Sequence, residues 1–111
     1  MPHCIVEHSE TIDCHVLVPL VFAGALQAEL FEVDGSDIKV RSLSYSSYQT
    51  GISQSDFIHV VLKILSGRTS EQKLKLSQLV LAQLETAGLN NCSITIEVVD
   101  IDRASYSKLV R

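Results

Sequence analysis

The segment Phe57 to Leu65, FIHVVLKIL, constrains the fold of this chain more than any other. Ile58, Val60, Leu62 and Ile64 would line one face of an extended backbone, while Phe57, Val61 and Leu65 make the other face mostly apolar as well. A strand that is apolar on both sides belongs in the middle of a sheet, with cover on each face. The rest of the chain must supply that cover.

Cys4-Ile5-Val6 reads as a short first strand, ended by the polar run from Glu7 to Asp13. From about Val18 to Glu32 the sequence is rich in Ala, Leu and Glu and reads as a helix. Pro19 is then tolerable only near its first turn, and Asp34-Gly35 supplies the stop. Ile38 to Tyr48 alternates loosely as a strand, and a turn-rich stretch from Gln49 to Ser55 follows. Thr69 to Gln72 has the form of a capping box, so a second helix is expected over about 70 to 87, closed by Gly88. Ile94 to Ile101 is a last strand with β-branched residues, and the tail from Asp102 to Arg111 is too polar to assign.

The order β-α-β, β-α-β is an internal repeat, with one unit over about 2 to 48 and another over about 56 to 101 of a single domain, residues 1 to 111. Within each unit a right-handed crossover makes the two strands parallel. That puts both helices on one face of a four-stranded sheet in an α+β fold. The opposite face has no cover within the chain, yet the third strand carries apolar residues there, so a closed homo-oligomer is expected.

Composition removes several classes of function. Thirteen acidic residues against nine basic ones give a net charge of -4, with no basic block to neutralise a phosphate backbone, so no nucleic-acid partner is expected and any anionic ligand must be held locally. Cys4, Cys14 and Cys92 are odd in number, far apart and without CxxC spacing, which argues for buried free thiols rather than disulfides or zinc. His3, His8, His15 and His59 form no i,i+4 pair with a carboxylate beside it, and read as packed or hydrogen-bonded strand residues rather than metal ligands. No apolar run approaches the length of a membrane span, and no basic segment leads into an apolar one at the N-terminus. A cytoplasmic protein without a membrane partner is the expectation.

Pro2 stands directly after the initiator Met. A small residue there favours removal of Met1, which would leave a secondary amine at the start of the first strand. An α-amino group ordinarily titrates at about 7.7 to 8.0. Partial burial and nearby cations both disfavour its charged form, so such an amine becomes a usable base near neutral pH. Arginines would serve as the cations, because a guanidinium also binds a carboxylate bidentately.

Two stretches then carry a resemblance to a known family. The start PHCIVE resembles the N-terminus of 5-carboxymethyl-2-hydroxymuconate isomerase, and FIHVVLKILSGRTSEQK is similar to that enzyme's F-V-H-x-x-L-K-I-x-x-GR-S-x-E segment. GRTSEQK also resembles the GRSDEQK of 4-oxalocrotonate tautomerase. The resemblance covers the first and third strands and the start of the second helix. It implies the tautomerase superfamily, in which a chain of this length is a fused pair of β-α-β units and assembles as a homotrimer.

By the same resemblance the catalytic proline falls on Pro2, and two arginines that bind substrate carboxylates fall on Arg41, in KVRSLSY, and Arg68. The repeat places Ile58 opposite Pro2, so only the first unit can supply a base. That first unit reads HSETIDCH where Arg68 stands in the second, which implies one site per chain. Tyr45 and Tyr48 are possible pocket residues, an aromatic wall over a dienol. SLSYSSYQTG lacks the tryptophan and histidine found near this place in the resembling isomerase, and the tail is shorter, which points to an altered pocket.

The implied function is a cofactor-independent keto-enol or double-bond isomerisation of an unsaturated 2-hydroxy or 2-keto carboxylate or dicarboxylate. No metal or organic cofactor is required, because a conjugated substrate is its own electron sink. The alternatives are a phenylpyruvate-type tautomerase, a related dehalogenase or hydratase, and a non-catalytic trimeric binding protein of the same fold.

Overall fold

A computed structural model describes residues 1 to 111. Four strands and two helices follow in the order β1 (His3–Ser9), α1 (Cys14–Gln27), β2 (Lys39–Tyr45), β3 (Asp56–Leu65), α2 (Ser70–Glu85) and β4 (Cys92–Ile101), with a 3-10 turn at Arg103–Ser105. The sheet order is β2-β1-β3-β4. β1 runs parallel to β2 and β3 parallel to β4, each pair joined by a crossover through a helix. The two central strands are antiparallel, with Ile5 opposite Val61 at the middle of their register.

Side-chain alternation sorts the sheet into two faces. Cys4 and Val6 of β1, with Ile58, Val60, Leu62 and Ile64 of β3, are fully buried under Leu17, Val21 and Ala25 of α1 and Leu76, Val80 and Leu84 of α2. Each such aliphatic side chain contributes on the order of 1.5–3 kcal/mol by leaving water. Gly24 lets the helices meet, because a Cβ there would lie 2.7 Å from the Cα of Val80. The other face carries Ile5, Leu43, Val61 and Val99 among His3, Glu7, Arg41, Lys63 and Glu97, with Leu43 54% and Val99 37% exposed. No helix is long and apolar enough to cross a membrane.

The helices differ in how legible they were. Thr69 caps α2 as expected: its side chain accepts from the backbone of Gln72, whose own side chain accepts from the backbone of Thr69. α1 begins four residues before the expected start, because Asp13 is its cap and accepts from the backbone of His15. Pro19 therefore sits well inside the helix, not in its first turn. It leaves the carbonyl of His15 without its helical donor, and the exposure of both residues lets water take that place.

α1 also stops at Gln27, short of the expected Glu32, where Glu29 adopts a left-handed φ of 57°. The chain then folds back through local bonds from the Ser36 backbone to Asp34 and from the Glu32 backbone to Asp37. β1 extends through Glu7, His8 and Ser9: Glu7 faces away from the helices, while the buried His8 bonds the Ser9 carbonyl through Nδ1 at 2.8 Å and the Ser9 hydroxyl donates to Asp56 at 3.0 Å. Of the three thiols expected to be buried, only Cys4 is; Cys14 and Cys92 are half-buried.

Candidate active site

Met1 and Pro2 precede β1 at the end of the sheet where β3 gives way to α2. The Pro2 ring is fully buried, and its carbonyl accepts from the backbone of Lys39 at 3.1 Å. The Met1 amine donates to the carbonyl of Asp37 at 2.9 Å. Burial holds this amine below the ordinary α-amino value, with Lys39 adding to the effect and Asp37 opposing it. Below Pro2, burial pushes the Cys4 thiol up to about 12, so it is not a competing nucleophile.

Met1 borders a cavity of about 410 Å³. One wall is the Leu30–Val33 turn that exists because α1 stops early; the others are Asp37, Leu65, Arg68, Arg103 and Lys108, so the carboxylates of Glu32 and Asp37 share the lining with three cations. Arg68 immediately precedes the cap of α2, where the helix dipole disfavours a cation. Its Nη2 donates instead to the carbonyl of Leu30 at 2.7 Å, beyond the C-terminus of α1. Gly67, at φ 119°, supplies the left-handed turn that leads into it.

The expected site residues fall in two groups. Pro2 and Arg68 are brought to the same end of the sheet, with Arg68 in the cavity wall. Arg41 is exposed on β2, on the face away from the helices, and donates to Nδ1 of His3 at 3.2 Å. Tyr45 and Tyr48 lie at the far end of the strands, packed around Phe57 with ring centroids 6.1 Å and 5.2 Å away. Tyr45 pairs with Ser9, roughly 23 Å along β1 from Pro2 at about 3.3 Å per residue. Within one chain, then, neither Arg41 nor the tyrosines reach the cavity that Met1 borders.

Two cations of the cavity, Arg103 and Lys108, come from the tail that sequence reasoning left unassigned. Their only sequence signal was charge in a segment without periodicity. The pseudo-equivalent end of the sheet has a smaller cavity, about 210 Å³, bordered by Ile12, Asp56, Ala87 and Leu89. It holds neither arginine nor proline, so the duplication yields one cationic site.

Of the four histidines, His3, His8 and His59 are on β1 and β3 and His15 is on α1. His59 bonds Thr95 at 2.7 Å and Glu97 at 2.6 Å. Asp13, Cys14 and His15 bring three potential metal-binding atoms within 4.8 Å of one another, but the Asp13 oxygen already accepts from the His15 backbone and ring.

The comparisons with known proteins agree with this fold. A 5-carboxymethyl-2-hydroxymuconate isomerase from Deinococcus radiodurans R1 superposes with a TM-score of 0.77 at 23% identity, over 99% of this chain and 90% of that one. A fused 4-OT, described as a wild type symmetric trimer, gives 0.79 at 13% identity over 96% and 90%. A 5-carboxymethyl-2-hydroxymuconate delta-isomerase gives 0.74 at 11% identity over 99% and 89%. These identities speak for the fold alone. No curated protein matches the sequence. The match that carries family membership spans residues 2–108, nearly the whole chain, and by it this protein belongs to the 5-carboxymethyl-2-hydroxymuconate isomerase family.

Proposed function

We propose that the chain, once Met1 is removed, is a homotrimeric, cofactor-independent isomerase of an unsaturated 2-hydroxy or 2-keto carboxylate, with the Pro2 amine as general base. The observation that carries the proposal is the N-terminus at the edge of a cavity walled by Arg68, Arg103 and Lys108 together with Glu32 and Asp37, where burial and Lys39 hold the amine of Met1 below its ordinary pKa. Removing Met1 would move the free nitrogen one residue deeper, to Pro2.

In the reaction, neutral Pro2 takes the proton from the enol oxygen. The electron pair moves through the conjugated system, and the proton returns from the pyrrolidinium to a distal carbon. Arg68 holds a carboxylate and steadies the developing oxyanion, for which four of its five N–H groups have no partner in the chain. Arg41 joins the site from a neighbouring subunit. That assignment is supported by its place on the uncovered face and by the trimeric assembly of a fold neighbour.

The test is the rate of ketonisation of a 2-hydroxymuconate or of phenylenolpyruvate by protein whose N-terminus is shown by mass spectrometry to be Pro2. Pro2→Ala should reduce the rate by roughly 10²–10⁴. Equal rates for wild type and Pro2→Ala would overturn the proposal. In a second reading Met1 is retained and the Pro2 nitrogen is an amide. Retention of Met1 in protein from its native host would make the chain a binding protein of this fold.

A further inference from the structure

The first residue of β1 holds an arginine of the neighbouring strand. His3 lies opposite Lys39 of β2 in the parallel register, so Arg41, two residues further along, stands diagonal to it on the same face of the sheet. There Nη1 of Arg41 donates to Nδ1 of His3 at 3.2 Å, and Nε2 of His3 meets the Tyr106 hydroxyl at 3.1 Å, with the two rings edge to face. A guanidinium only donates, so this His3 is neutral, with Nδ1 as the acceptor and the proton on Nε2.

Arg41 makes no other hydrogen bond, and no carboxylate lies within 4.0 Å of it; the salt bridges are His15–Asp13, His59–Glu97 and Lys73–Asp100. His3 is thus the one polar partner that fixes the direction of an exposed, many-rotamer side chain. A group fixed in advance costs a ligand less to bind.

The surroundings of His3 favour its neutral form. The charged groups that face it are all basic: Lys39 and Arg41 from β2, Lys63 from β3, and the N-terminal amine; the tail adds the Tyr106 hydroxyl. His15 and His59, by contrast, each have a carboxylate beside them, at 3.1 and 2.6 Å. Taking up a proton would turn Nδ1 of His3 from acceptor to donor and set an imidazolium against a guanidinium.

We propose that His3 is a positioning residue for Arg41: while neutral it holds the guanidinium in place for a substrate carboxylate, and on protonation it lets go. This rests on the reading of Arg41 as a substrate-binding residue, and adds a pH-dependent clamp to it. Burial first, then the neighbouring cations, keep the His3 pKa below 6.5, so the clamp is present above that pH and is lost as the pH falls through the folded value.

The test is the pH profile of KM for ketonisation of 2-hydroxymuconate by protein beginning at Pro2, beside NMR titrations of His3 and of the Arg41 side-chain Nε–H. Wild-type KM should be flat above the His3 midpoint and rise roughly two- to tenfold below it, the cost of ordering one long side chain on binding. His3→Leu should show the higher KM at every pH. His3→Asn, whose Oδ1 reproduces the Nδ1 acceptor without titrating, should rescue the low KM and remove its pH dependence. A wild-type KM in His3→Leu, or the same rise at low pH in His3→Asn, would overturn the clamp. In a protein that isomerises nothing, an Arg41 signal that shifts with the His3 titration in wild type and stays put in His3→Asn would uphold the clamp and sink the isomerase reading. An Arg41 signal indifferent to the His3 titration would overturn the clamp, active protein or not.

Discussion

Arg41 donates to Nδ1 of His3 at 3.2 Å, while Pro2, the residue before His3, has its ring fully buried. With Nδ1 accepting, His3 carries its proton on Nε2 and donates it to Tyr106. Neighbouring residues at the start of β1 thus serve different surroundings: Pro2 is buried behind Met1, which borders the cavity, and His3 with Arg41 belongs to the face that has no cover within the chain.

The pH dependence of this arrangement follows from His3. Burial first, then the charges of Arg41, the N-terminus, Lys39 and Lys63, lower its pKa below 6.5. The unfolded chain therefore takes up this proton before the folded one does. Its contribution to stability is present above about pH 6.5 and is lost as the pH falls through the lower folded value. Urea denaturation should show stability declining over that window in wild type and less so in His3→Gln. Arg41→Ala should move the His3 titration, followed by NMR, back toward 6.5; an unmoved titration would mean Arg41 does not set it.

If Arg41 serves the cavity of a neighbouring subunit, Pro2→Ala and Arg41→Ala trimers should each be nearly inactive, and subunits of the two mixed by unfolding and refolding should regain activity. Random mixing around a three-fold axis gives about a quarter of sites with both residues intact. No regain on mixing would place both residues in the site of a single chain.

The contact between the helices at Gly24 leaves no room for a methyl group. Gly24→Ala would put a Cβ 2.7 Å from backbone of α2, and backbone cannot rotate away as a side chain can. A loss of about 1–3 kcal/mol is expected from overpacking, despite the better helix propensity of alanine, read as a lower urea midpoint. A gain in stability would mean that the helices can separate at little cost.

The cap of α2 also holds Arg68 in place. Thr69→Ala removes the acceptor for the Gln72 backbone and should cost about 1 kcal/mol, with Thr69→Ser restoring most of it. Thr69→Ala should also raise KM more than it lowers kcat, since the turn that aims Arg68 loosens. A stability loss with unchanged KM would separate the cap from the site.

The outline of this fold was written in local pattern. Alternation in FIHVVLKIL, the Thr69–Gln72 capping box and the β-α-β repeat are short-range signals, and periodicity with chirality is enough to pair the strands and place the helices on one face. Pro2 was legible from its place after Met1, and Arg68 through the resemblance that GRTSEQK carries. What the tertiary structure decided was company. The early stop of α1 opened the cavity. A tail without periodicity delivered Arg103 and Lys108 to it, held by hydrogen bonds to Ser66 and His3, residues far away in sequence. Strand alternation put Arg41 on the other face of the sheet. Pattern along a chain records which way a side chain points, but which distant side chains meet depends on where loops turn, and polar turns of this kind carry little hydrophobic signal to read.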